Sequence, residues 1–233
     1  MIDSLPFSIL HRDEHCIAIA KRPGIHVHHS ELSPHEISCM PILRDTIGMH
    51  VYPIHRIDRA TSGIVLFALN HEAHIALNAL MREGGMKKEY HAIVRGWMKS
   101  GICDSPIHID DKTHDAETHF TVKRHVELEY PSQHFETTRV SLMHVDLITG
   151  RRHQIRKHCA HLRHPIAGDV RYGDGKVNAL FRSEFALHRL LLFATSLKFI
   201  HPILQTEVNI QYDPSDYDAS VLSFFERYQV TLP

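Results

Sequence analysis

The chain places more potential chemistry in one run of residues than anywhere else: His55-Arg56-Ile57-Asp58-Arg59-Ala60-Thr61-Ser62-Gly63. Asp58 stands between two arginines, and nearby positive charge favours the ionised form of a carboxylate. An ionised carboxylate on a rigid strand edge is equipped to act as a nucleophile or a base. An aspartate in a turn can equally serve only to cap local backbone N–H groups. Two other stretches invite chemistry. Histidine is abundant, with 23 residues in 233, and His26, His28 and His29 or His153, His158, His161 and His164 could in principle ligate a metal. No His-x-x-x-His pair carries the acid that a metallohydrolase motif needs, so surface histidines and no catalytic metal are expected. Between Arg151 and Gly168 lie five Lys/Arg and no acid, whereas Glu207, Asp213, Asp216, Asp218 and Glu226 make the tail acidic. The net charge of −1 hides a localised basic face, which is either a solvated helix or a surface for nucleic acid.

The elements that must hold these groups follow from pattern. Phe7–Leu10 and His15–Ala20 read as short strands around Asp13-Glu14, ended by Lys21-Arg22-Pro23-Gly24. Residues 30–50, with Pro34 and Pro41, read as loop with one short helix near Ile42–Ile47. The motif loop turns into a buried strand, Gly63–Leu69. Asn70 is placed as an N-cap with Glu72 in the first turn, and Gly84-Gly85 stops that helix. Lys88–Val94 alternates as a strand, with Lys88, Tyr90, Ala92 and Val94 on one face. Residues 100–137 are polar and predict short strands with mobile loops. A strand over Arg139–Leu147, a helix over about Arg152–Leu162, and strands over Leu190–Ile200 and Thr206–Tyr212 complete the reading. At 100° per residue, Arg152, Arg156 and Arg163 would fall within about 40° of one another and rim the buried stripe of Ile155, Cys159 and Leu162.

Composition is that of a globular protein, 43% hydrophobic and 23% charged. The apolar run Ile64–Leu69 is too short to cross a bilayer, no secretory signal is visible, and the four scattered cysteines suit a reduced cytoplasm. Without repeats, linkers or low-complexity tracts, residues 1–233 are expected to form a single domain. Its class is α+β, with a largely antiparallel mixed sheet flanked by helices and a central active-site cleft.

Taken together, the segments resemble the RluA-type pseudouridine synthases. His55–Gly63 is close to that family's H-R-L-D-x-x-T-S-G, with Ile57 for the usual leucine. Lys88–Gly96 matches K-x-Y-x-A-x-V-x-G. Gly150-Arg151-Arg152-His153-Gln154-Ile155-Arg156-Lys157-His158, with Gly168-Asp169 beyond His164-Pro165, forms the third motif, and Lys21–Gly24 with Val27-His28 resembles the opening one. The likeness runs in order from about residue 7 to 212. Ala160–Ile166, Gly168–Asn178 and Ile47–His50, with no S4-like RNA-binding module, are similar to the TruC-type subgroup, which modifies uridine 65 of tRNA. One departure is Leu190-Leu191-Leu192-Phe193-Ala194, where Phe193 stands in place of a histidine.

The resemblance implies an isomerase that converts uridine to pseudouridine in RNA without a cofactor. Asp58 would be its nucleophile or base, Arg156 would pair with Asp58, and Tyr90 would stack on or hydrogen-bond the target base. A stacked uridine has to be extruded to reach the carboxylate, and Arg56 would fill the gap left behind. Arg59, Arg151, Arg152, Lys157 and Arg163 would contact phosphates. The implied partner is tRNA, with no membrane, no protein partner and a monomeric state. Three other readings stand beside this one: the same chemistry on ribosomal RNA or on both RNAs, a histidine-rich metal-dependent hydrolase, and a catalytically silent RNA-binding protein.

Overall fold

A computed structural model describes residues 5–28, 36–132 and 135–232. His29 and Pro34 therefore lie outside the described residues. The strands in the first half are β1 (Phe7–Arg12), β2 (Cys16–Lys21), β3 (Tyr52–Pro53), β4 (Ser62–Ala68), β5 (Lys87–Arg95) and β6 (Gly101–Cys103). The rest are β7 (Ile107–Ile109), β8 (Lys112–His114), β9 (Thr118–Leu128), β10 (Thr138–Leu147), β11 (Leu192–Ile200) and β12 (Glu207–Gln211). The helices are α1 (Cys39–Ile47), α2 (His71–Arg82), α3 (Gln154–His161), α4 (Gly175–Phe185) and α5 (Ala219–Arg227). The class is α+β. The backbone divides into two compact units, residues 1–88 with 194–212, and residues 89–193 with 213–233.

In the first unit the strand order is β1-β2-β4-β11, with β3 on β4 and β12 on β11. Every residue of β2 and β4 is buried, as their apolar, unalternating sequences require. Antiparallel register sets Lys21 opposite Gly63, so the end of the Lys-Arg-Pro-Gly turn meets the end of the Asp58 motif. Gly63 has φ +115, and a Cβ there would come within 2.2 Å of the Ala194 carbonyl oxygen on β11. Only glycine lets the motif pass this closely into the sheet. Asn70 caps α2 by accepting from the Ala73 N–H, as its position predicts. Helix α1 begins three residues before the predicted Ile42 and takes in Pro41, because a proline in the first turn forfeits only an N–H that has no helical partner.

The second unit is built on β5-β10-β9-β6 and the separate hairpin β7–β8. Tyr90 of β5 stands opposite Val145 of β10. Both faces of β5 are covered from Tyr90 to Val94, so its alternation does not sort core from solvent. The polar stretch predicted as short strands and loops contains an eleven-residue strand, β9. Its charged residues occupy an exposed face while Thr118, Phe120, Val126 and Leu128 point inward, and pairing along β10 holds it extended. Helices α4 and α5 lie outside the elements that the sequence pattern predicts. Asp174 and Asp218 cap them through their side chains, and Phe181, Phe185, Phe224, Phe225 and Tyr228 form the aromatic cluster between them.

Candidate active site

The first unit presents the Asp58 loop. The Thr61 N–H donates to the Asp58 carbonyl at 3.1 Å, closing a turn that leaves the Asp58 side chain half-buried. Two anchors hold that turn. Lys21, whose side chain is out of solvent, donates from Nζ to the carbonyls of Arg22 at 2.9 Å, Ile25 at 2.8 Å and Arg59 at 3.1 Å. The Gly24 N–H also donates to the Arg59 carbonyl, at 2.8 Å. The other anchor is His55, whose Nε2 accepts from the Leu66 N–H at 3.2 Å. That bond requires an unprotonated Nε2, and burial, with Lys88 nearby, pushes the His55 pKa down to about 3. In the sequence Lys21 reads as part of a chain breaker and of the opening motif, and His55 as a motif letter. Both position Asp58.

Arg56 and Arg59 are exposed on the same loop. The Arg59 guanidinium is engaged within the protein, with Nε donating to the Gly24 carbonyl at 2.9 Å and Nη1 lying 3.3 Å from Glu36.

The second unit presents Tyr90 and Arg156. Tyr90 is buried, 7% exposed, on β5. Arg156 is buried on α3 and grips Asp169 with two bonds, Nε to Oδ2 at 2.7 Å and Nη2 to Oδ1 at 2.9 Å. Asp169 Oδ1 also accepts the backbone N–H groups of Arg171 at 2.9 Å and Tyr172 at 3.0 Å. Burial would raise the Asp169 pKa, but the Arg156 bond and the two backbone donors outweigh it and hold the carboxyl below its ordinary range. The Arg156 guanidinium lies 5.2 Å from the centre of the Tyr172 ring, whose hydroxyl meets His153 Nδ1 at 3.0 Å. Asn178 of α4 closes the cradle, accepting from the Gly168 N–H at 2.7 Å and donating to the Asp169 carbonyl at 2.9 Å. A Cβ on Gly168 would strike the Arg189 carbonyl oxygen at 1.8 Å, and one on Gly173 the Asp169 carbonyl oxygen at 2.0 Å. The segment Gly168–Asn178, noticed first as a subgroup signature, is thus the mount for Arg156.

Helix α3 is shorter than predicted, and this breaks the three-arginine rim. His153 and Arg163 take left-handed conformations, φ 57 and φ 62, at either side of the helix. Arg152 and Arg163 are exposed outside the helix, and only Arg156 stands on it. Gln154 secures the start of α3: its Oε1 accepts from the Arg151 N–H and the Thr149 hydroxyl, and its Nε2 donates to the Glu117 carbonyl and Thr118. Arg151 Nε donates to the Asp115 carbonyl, and Lys157 Nζ to the His108 carbonyl. Phe193 is fully buried, 6.4 Å ring to ring from Phe225 and beneath the Arg189 guanidinium.

The histidines around α3 are committed to protein partners. His158 uses both ring nitrogens, one with Thr118 and one with the Ser105 carbonyl, each at 2.9 Å. His161 meets the Ser105 hydroxyl and His164 the Arg95 carbonyl. All four cysteines are buried free thiols.

Two desolvated histidines, His55 and His91, give the fold an acid limit. The His91 pKa is also pushed to about 3, by burial first and then by His144 and Lys123. Both rings stay neutral in the fold, while the unfolded chain takes up protons near the ordinary value of 6.5. Their contribution to stability is therefore full above pH 6.5 and is lost as the pH falls from there towards 3. Urea unfolding at about pH 7.5 and about pH 5 should show a lower midpoint at the acid value. Equal midpoints would contradict the assignment.

Comparison with known proteins gives the geometry its context. The family profile described as RNA pseudouridylate synthase matches residues 15–161. A Vibrio parahaemolyticus protein named tRNA pseudouridine synthase C is 43% identical over 94% of this chain and 94% of its own length. The Vibrio cholerae protein of that name is 40% identical over 93% of this chain and 95% of its own, and the Salmonella typhi one 36% over 93% and 89%. Among solved structures, human RNA pseudouridylate synthase domain containing 1 superposes with a TM-score of 0.73 at 21% identity, covering 99% of this chain and 98% of that one. Human RNA pseudouridylate synthase domain containing 4 gives 0.72 at 22%, covering 97% and 94%. Their low identity speaks to the fold alone, whereas the profile and the full-length relatives show the family. The chain is an isomerase and belongs to the RluA-type family of RNA pseudouridylate synthases.

Proposed function

We propose that this enzyme isomerises one uridine of tRNA, uridine 65 in the acceptor/T-stem region, with Asp58 as its catalytic nucleophile or base. The observation that carries the reading is the identity of 43%, over nearly the whole chain, to a relative named for tRNA. The uninterrupted His55–Gly63 run supports the role of Asp58. In the reaction the bond from C1′ to N1 breaks, one from C1′ to C5 forms, C5 loses a proton and N1 gains one. Nothing is oxidised or reduced, so the chemistry asks for a placed carboxylate and a site that excludes water, with no cofactor. Asp58 supplies the carboxylate, by attack on the nucleoside or by moving a proton.

Arg156, held by its fork to Asp169, brings a fixed cation to the reaction. Tyr90 receives the base, Arg56 fills the space it leaves, and Arg59, Arg151, Arg152, Lys157 and Arg163 attract phosphates. Arg152 and Arg163 suit this best, being exposed. The whole chain works as one catalytic domain and as a monomer in the cytoplasm. Among the described residues no helix is long and apolar enough to cross a membrane.

The test is release of tritium from transcripts carrying 5-tritiated uridine. Release from tRNA, with pseudouridine mapped at position 65, is the expected result. Release from ribosomal RNA alone would overturn the tRNA assignment, and product at another position would overturn the target.

A further inference from the structure

We propose that the β1–β2 hairpin of the first unit carries a site for a zinc-like divalent transition metal, ligated by His11 Nε2, Asp13 Oδ2 and Cys16 Sγ. This site lies outside the catalytic motifs and does not depend on the choice of RNA. Its basis is the way Asp13 divides its two oxygens. Oδ1 does the ordinary work of a turn aspartate, accepting the backbone N–H groups of His15 and Cys16, both at 2.7 Å. Oδ2 is not needed for that turn. It gathers His11 Nε2 at 3.0 Å and Cys16 Sγ at 3.3 Å, and all three donor atoms lie within 4.8 Å of one another. These are the separations of ligands that share one ion.

A second observation comes from another part of the unit. His201, in the turn after β11, is fully buried. Its Nδ1 accepts the N–H groups of Ile203 at 3.2 Å and Leu204 at 3.1 Å, so the ring proton resides on Nε2. Among the described residues that buried N–H has no hydrogen-bond partner, and it stands 3.8 Å from Asp13 Oδ2. A buried donor without an acceptor is unfavourable. It is aimed at the cluster, where the oxygen of a fourth, water ligand would satisfy it.

The donor set selects the ion. One imidazole nitrogen, one carboxylate oxygen and one thiolate suit a borderline metal such as zinc and do not suit magnesium or calcium, which take oxygen. On binding, the Cys16 thiol gives its proton to solvent and its sulfur lone pair to the metal. Thiolate and carboxylate then balance the 2+ charge, which makes the site neutral and fit for burial. Cys16 closes the inner side, while the side chains of His11 and Asp13 are 30% and 18% exposed and leave a way in. The metal would staple the two strands of the hairpin. It takes no part in the isomerisation.

The test uses the full chain stripped of metal and titrated with Co²⁺. The expected result is a thiolate-to-cobalt charge-transfer absorption that saturates at one equivalent and is displaced by Zn²⁺. Cys16→Ala should abolish the band, and His11→Ala, at a partly exposed residue that the fold does not need, should weaken Co²⁺ at least tenfold. Tritium release by both variants should match that of the parent chain. Absence of the band in the parent chain overturns the site. So does a band that survives Cys16→Ala, which would come from Cys39, Cys103 or Cys159, or an unchanged affinity in His11→Ala. If Cys16→Ala fails to fold, the His11 variant decides.

Discussion

Replacing Asp58 with alanine should lower tritium release at least about a thousandfold while RNA binding stays within about threefold. The expectation rests on the separation of the residue's two roles. Its backbone carbonyl closes the turn with the Thr61 N–H, a bond that any side chain permits, while Lys21 and His55 hold the loop from outside. The variant should therefore fold and bind, and lose only the carboxylate. Asp58→Asn keeps the shape, removes the charge and should fall as far. If both variants kept more than about a tenth of parental turnover, Asp58 would have no part in the chemistry.

The second large effect concerns Asp169, which sequence analysis placed in a motif without a task. Its fork to Arg156 is buried, and removing one partner of such a pair strands the other's charge. Asp169→Ala should cost about 3–5 kcal/mol of stability and most of the turnover. The informative comparison is the double variant Arg156→Met with Asp169→Leu. An apolar pair of similar volume removes the stranded charge, so stability should partly return. The return is incomplete because the Arg171 and Tyr172 N–H groups lose their acceptor. Turnover should stay lost if Arg156 takes part in the reaction, measured as kcat from tritium release beside a urea midpoint. Recovery of both together would make the pair structural only.

What could be read in advance follows physical lines. The apolar β4, the Asn70 cap and the Lys88 strand were legible because local pattern alone determines them. The length of β9 was not, since its inward residues are spaced among charges that look like loop until β10 is seen beside them. Helices α4 and α5 had signals in Asp174 with Val177, Phe181 and Phe185, and in Asp218 with Val221, Phe224 and Phe225. Asp174 and Val177 read as part of a motif and Asp218 as part of an acidic tail, which hides their place at helix starts. The arginine rim assumed that a helix continues as far as its periodicity, whereas left-handed residues at His153 and Arg163 ended it early. In the candidate site, the motifs supplied the residues to which the chemistry is assigned by proposal. The partners that fix them, Lys21 for the Asp58 loop and Asp169 with Asn178 for Arg156, depend on contacts remote in sequence that no spacing rule encodes.

Lys21 gives the Asp58 loop a built-in reporter. An amine drawn wholly out of solvent and bonded to carbonyls from the turn and from Arg59 is closed to amine-reactive reagents. It becomes open only when those two segments part. The rate at which a mass spectrometer sees Lys21 acquire a label, set against the exposed lysines of the same chain, is therefore a clock for the loosening of the loop that carries Asp58.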